Sequence, residues 1–231
     1  MMKLIGNECK RAKFGQYILV IAIGNLAALF LAISSSSMLN HASYGTQPFA
    51  PGMPELSLST VDLGMMLMRS ILIVWQAVLI SQMIIGEYQT KTITVLFTYP
   101  YSRKEIIASK LILIGGIMTI AHIITLLIQH TMVYLFSLTN PLIRFSFQSP
   151  ISLIIITISS ILLGFIPLTV GMKFKSSIST IITSLVIASI VSNSQGSTAG
   201  ILSNPIIAGV FGLCGLVVSV VTFRNMLKEN L

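Results

Sequence analysis

The chain has 231 residues, of which 54% are hydrophobic and 9% charged, and it carries a formal net charge of +8. Those proportions lie outside the range of a soluble domain and match a helical membrane bundle. The positive balance does not mark a nucleic-acid surface, because it collects at one end of successive apolar runs, as expected for a membrane protein.

Six stretches are long enough to cross a bilayer: residues 17–38, 63–85, 111–135, 151–172, 176–193 and 205–223. Each is close to the roughly 17–25 residues that ~30 Å of hydrocarbon requires, the fifth being the shortest. A barrel is excluded, since its strands would alternate polar and apolar positions and these runs are continuously apolar. Threading the runs alternately places every Lys and Arg except Arg69 and Arg144 on one side, together with Glu8, Glu87, Glu105 and Glu229. Basic residues accumulate in cytoplasmic loops and are drawn to anionic inner-leaflet lipid. The expectation is an all-α, multi-pass protein: a single transmembrane domain over residues 1–231, with six transmembrane helices and both termini in the cytoplasm.

Residues 1–16 carry Leu4, Ile5 and Phe14 among basic side chains, which predicts a short helix in the headgroup layer. The basic start and apolar run resemble a secretory signal, but the run is longer than a signal's apolar region, so it reads as an uncleaved first span. An outer loop over 39–60 follows, where Pro48, Pro51 and Pro54 exclude a regular helix.

In the second span Asp62, Arg69 and Gln76 recur every seven residues, within about 40° on one helical face. Ionisable groups at membrane depth are costly, so Arg69 and Gln76 are candidates for a translocation cleft or an interface between chains. The alternative is Arg69 snorkelling to the outer headgroups.

The segment 86–110 is the longest piece on the basic side. Ile93, Leu96 and Phe97 form one apolar stripe on a short helix, Pro100 stops it, and Ser102 with Glu105 forms a capping box that starts the next helix. An apolar stripe outside the membrane needs a partner, either the headgroup layer or a groove on another protein.

Here the chain resembles the membrane subunit of type 2 ATP-binding-cassette exporters, especially the small permeases linked to bacitracin, lantibiotic and other antimicrobial-peptide transport or immunity. Their pattern is an acidic residue closing the second span, then Thr, Leu, Pro, Ser-Arg, and a Lys opening the third. Glu87, Thr92, Leu96, Pro100, Ser102-Arg103 and Lys110 match in that order. Members of the group usually carry Gly before the Thr, where this chain has Lys91. The resemblance implies that 86–110 is a coupling segment docked on a separately encoded ABC ATPase, present in two copies. Two permease chains, identical or sister, would then alternate between inward-open and outward-open forms in a bacterial cell (plasma) membrane. Leu96 and Phe97 would plug the ATPase cleft, while Glu87 and Arg103 would make charged contacts or brace the helix. Arg103 and Lys104 could equally meet lipid phosphate. ATP and Mg would sit on the partner, and this chain binds no cofactor of its own; it has no phosphate-binding loop.

In the third span Thr119, His122, Thr125 and Gln129 fall within about 120° of arc. They read either as the polar lining of a translocation cleft, with His122 and Gln129 as candidates, or as interhelical hydrogen bonds. His122 and His130 are offset around the helix, so no metal site is expected. Gly164 and Pro167 predict a kink in span four, residues 173–175 a tight inner turn, and 194–204 an outer loop or re-entrant turn. Ala208, Gly209, Gly212 and Gly215 give span six a small-residue face for close packing. Cys9 and Cys214 lie at different depths and predict no disulfide.

Two other function classes have signatures of their own. An intramembrane enzyme would need a nucleophile or metal motif, and neither Gly-x-Ser-Gly nor His-Glu-x-x-His occurs. An ion-driven secondary carrier would show inverted repeats or a membrane-embedded acid.

Overall fold

The computed structural model describes residues 14–45, 59–90, 103–140, 143, 145–193 and 199–228, all helical or connecting, with no strand among them. Eight helices result. They are α1 (Phe14–Gly45), α2 (Thr60–Ile80), α3 (Gly86–Gln89), α4 (Arg103–Thr139), α5 (Pro150–Leu163), α6 (Ile166–Phe174), α7 (Ser177–Val191) and α8 (Pro205–Lys228). A π-helical turn, Ser81–Ile85, joins α2 to α3, and a 3-10 turn, Ile201–Ser203, precedes α8.

Among the described residues, five helical stretches are long and apolar enough to cross a membrane: Ile18–Ser37, Thr60–Gln89, Lys104–Thr139, Pro150–Phe174 and Pro205–Leu227. Helix α7, at 15 residues, falls short of that length. The chain is therefore a polytopic, all-helical membrane protein, with α7 as an additional shorter apolar helix.

Helix α2 is the axis of the bundle, packing against α1, α4 and α7. Of its most apolar window 61% is buried inside the chain, against 22% for α1 and for α8, whose outward faces are left for lipid. The main core joins Met68, Leu72, Leu79, Ile80, Ile84 and Ile85 of α2 and its π-turn to Ile107, Ile114 and Met118 of α4 and Leu168 of α6.

The kink expected in span four is present. Pro167 has no N–H to donate and crowds the preceding turn, so the helix breaks at Gly164–Phe165 and resumes at Ile166. Before the break α5 lies tightly on α8: a Cβ on Gly212 would sit 2.9 Å from Ser159 Cα, and one on Gly215 2.7 Å from Leu162 O. Gly209 meets nothing within 4 Å, so only part of the small-residue face is used within the chain.

Several helices outrun the predicted spans, α4 reaching Thr139 and α8 Lys228. α1 continues to Gly45, past the end of the predicted span at 38. Ser35, Ser36 and Ser37 each bond a carbonyl three or four residues back, which lets a polar stretch continue the helix where no proline interrupts it. The predicted interfacial helix before Phe14, the three loop prolines and residues 194–198 of the 194–204 segment lie outside the described residues.

Candidate functional site

The site predicted from sequence is the 86–110 segment. Thr92, Leu96, Phe97 and Pro100 lie outside the described residues, as does the side chain of Arg103, whose backbone opens α4. What the structure does show is the neck from which the segment hangs.

At the neck, the two ends of the motif meet. Lys110 of α4 forms an ion pair with Glu87 of α3, and its ammonium also donates to Met83 O at 3.0 Å. The side chain of Lys110 is 3% exposed and that of Glu87 16%. Met83 lies within the π-turn, where the wider i→i+5 spacing disturbs the regular ladder and turns backbone carbonyls toward outside donors. The π-turn, the ion pair and the buried Tyr88 thus weld the end of span two to the start of span three.

A second tie runs from the same short helix. Gln89 Nε2 donates to Lys175 O at 2.9 Å, and Ser177 Oγ donates to Gln89 Oε1 at 3.1 Å. Lys175 adopts a left-handed conformation (φ 47°) that closes α6, with Ser176 N bonded to Gly171 O and Lys175 N to Met172 O. That is the Schellman pattern, with Lys where Gly is usual. Ser176 then caps α7, its hydroxyl accepting from Ser179 N. Gly171 must be small, because a Cβ there would come within 3.0 Å of Ile85 Cδ1 in the π-turn. The tight turn read from sequence at 173–175 is therefore fastened to the neck.

The four cleft candidates are all buried: Arg69 is 4% exposed, His122 4%, Gln76 0% and Gln129 0%. Gln76 Nε2 donates to Ile161 O at 3.0 Å, resting on Gly164 at the kink. His122 Nδ1 lies 2.8 Å from Met118 O, which can only accept, so that nitrogen carries a proton. Nε2 lies 2.9 Å from Ser160 Oγ, whose single proton is shared between that nitrogen and Thr157 O at 2.8 Å. Gln129 Nε2 reaches Asn25 Oδ1 at 3.4 Å, and Asn25 Nδ2 donates to Thr125 at 3.2 Å. Three positions read as one polar stripe on α4 thus bond two different neighbours, α1 and α5. Within one chain they act as struts between helices. Thr119 is exposed and bonds back to Gly115 O at 2.8 Å.

Arg69 turns into the bundle instead of out to the surface, within electrostatic reach of Asp62 and His122. Asp62 accepts from Gln148, tying the start of α2 to the strand of chain before α5. Asn25, Ser160 and Gln89 were not singled out in the sequence. Asn25 carried a signal, as the sole amide in an apolar run; Gln89 and the π-turn carried none.

Residues 4–195 match the family described as ABC-2 family transporter protein. A relative, the Bacillus subtilis (strain 168) protein named uncharacterized protein YcbO, is 30% identical over 241 aligned residues. That alignment spans 99% of this chain and 100% of the relative. No solved structure matches.

Proposed function

The chain belongs to the ABC-2 transporter family and is a multi-pass permease subunit that works with an ABC ATPase subunit; we propose that it couples ATP hydrolysis on that partner to export of an amphipathic cargo. The family favours this reading over an intramembrane enzyme or an ion-driven carrier. In this proposal α7 completes six crossings and the basic ends face the cytoplasm of a bacterial cell. The segment 86–110 docks on the ATPase, with Leu96 and Phe97 as the apolar plug, Glu87 and Arg103 making charged contacts or bracing the helix, and Thr92 and Pro100 completing the motif. Two permease chains and two ATPases alternate between inward-open and outward-open forms, and the cargo is a peptide or antibiotic. ATP and Mg stay on the ATPase.

The observation that carries the reading is the Glu87–Lys110 pair reinforced by Lys110–Met83 O. A segment that delivers force needs a rigid base, and a buried ion pair welded to a π-turn supplies one. The short arm Gln89–Lys175 O would pass the movement on to α6 and α7.

The test is co-purification with an ABC ATPase co-expressed with this chain. Leu96→Asp with Arg103→Glu should release the ATPase while the permease keeps its elution volume and thermal midpoint. Full retention of the ATPase by that variant would remove the docking assignment.

A further inference from the structure

We propose that the groove between α6 and α8 is a binding site for the phosphate headgroup of an anionic phospholipid. The groove measures about 310 Å³ and is lined by Thr169, Met172, Lys173, Thr222, Asn225 and Met226, near the lower end of the roughly 300–1,000 Å³ typical of small-molecule sites. Gly212 and Gly215 hold α8 against α5, and the groove lies further along, between α8 and the part of span four that follows the break at Gly164–Phe165.

The lining is graded along the helix axis. Lys173 and Asn225, both exposed, sit in the last turns of α6 and α8, at the boundary where a span leaves the hydrocarbon. One turn deeper the polar groups are already satisfied. Thr222 Oγ1 donates to Val218 O at 2.8 Å, so Thr169 donates to Thr222 across 2.6 Å. Met172 and Met226, 8% and 4% exposed, form apolar walls. The mouth therefore offers an ammonium and an amide N–H to a phosphate, while the floor offers only apolar surface and no free donor. That polarity matches a phospholipid, with its headgroup at the rim and the start of its acyl chains against methionine. A free anion would leave the apolar part unused.

Two further features fix the occupant's charge and origin. The Lys173 ammonium lies 5.9 Å from the Phe174 ring centroid, and Phe174 is 63% exposed, so the cation is held at the lipid-facing rim. The same end of the bundle carries Lys175 and Arg224, both exposed, and no described acid lines the groove. Basic pockets between membrane helices at such an end favour anionic headgroups.

The experiment uses the purified full-length chain in detergent, with its thermal midpoint followed against added phosphatidylglycerol, phosphatidylcholine or inorganic phosphate. Phosphatidylglycerol should raise the midpoint, and the other two should not. Lys173→Gln should weaken the phosphatidylglycerol response about fivefold or more, and Lys173→Arg should retain it. Asn225→Leu, also at an exposed position, provides a second variant with the same expected direction. Equal responses to phosphatidylglycerol and phosphatidylcholine, or an unchanged response in Lys173→Gln, would overturn the site. A midpoint shift by phosphate alone would assign it to a free anion and reject the lipid. Lys173→Gln releasing the ATPase without altering the phosphatidylglycerol response would assign the rim to the partner protein and likewise reject it.

Discussion

Glu87 and Lys110 flank the segment that the sequence marks out for function, and they are bonded to each other where the second and third spans meet. The lysine is the more deeply buried of the two and holds Met83 O of the π-turn as well. Charge, backbone irregularity and motif spacing therefore converge on one point. The neck is a fixed base, whatever 91–102 does below it.

Removing one member of a buried ion pair strands the other's charge, a loss of about 3–5 kcal/mol. Lys110→Met should lower the thermal midpoint of the purified chain strongly, and Glu87→Gln should lower it less, because Lys110 keeps its bond to Met83 O. The double variant Lys110→Met with Glu87→Gln should lose less than the sum of the two single losses. If the two single losses simply add, the pair is not coupled as drawn.

The Lys175 turn offers a test with the opposite sign. A non-glycine residue in the left-handed region carries a strain of about 1–2 kcal/mol. Lys175→Gly should therefore stabilise the chain. Gln89→Leu, which removes the two bonds to the turn, should raise amide exchange at Ser176 and Ser177. Exchange unchanged in Gln89→Leu would show that the second tie is not formed.

Five of the six expected spans, the break at Gly164 and Pro167, and the turn at 173–175 were legible, because each rests on a local rule: length of apolar run, a missing N–H, a short basic connection. The tail of α1 was not, since serines that bond their own backbone look like loop in a polarity plot. The π-turn was not, because nothing in the local sequence marks it; the structure shows Lys110 donating to Met83 O within it. The polar stripe on α4 was visible, but its role was not. Periodicity shows that His122, Thr125 and Gln129 share a face; only the packed neighbours Ser160 and Asn25 show what they bond.

That distinction can be measured. Hydrogen bonds between membrane helices average about 0.6 kcal/mol and reach about 1.7 kcal/mol. A double-mutant cycle with His122→Phe and Ser160→Ala should give a coupling of that size in the thermal stability of the chain. Zero coupling would free His122 for a role outside the helix interface.

Glycine packing divides span six. Gly212→Val should separate α8 from α5 and destabilise by about 1–3 kcal/mol or more, because its Cβ meets Ser159 backbone. Gly209→Ala, in open space, should be neutral or slightly stabilising in the isolated chain. A loss at Gly209 equal to that at Gly212 would contradict the packing described.

The docking proposed for 86–110 is tested most directly by cysteine chemistry at Leu96. With Cys9 and Cys214 replaced by serine, Leu96→Cys should be shielded from a membrane-impermeant maleimide added to intact cells. It should cross-link to the ABC ATPase in inverted membranes, with a yield that changes when ATP is bound. Labelling of that cysteine from outside, or a complete absence of cross-linking to the ATPase, would contradict the account.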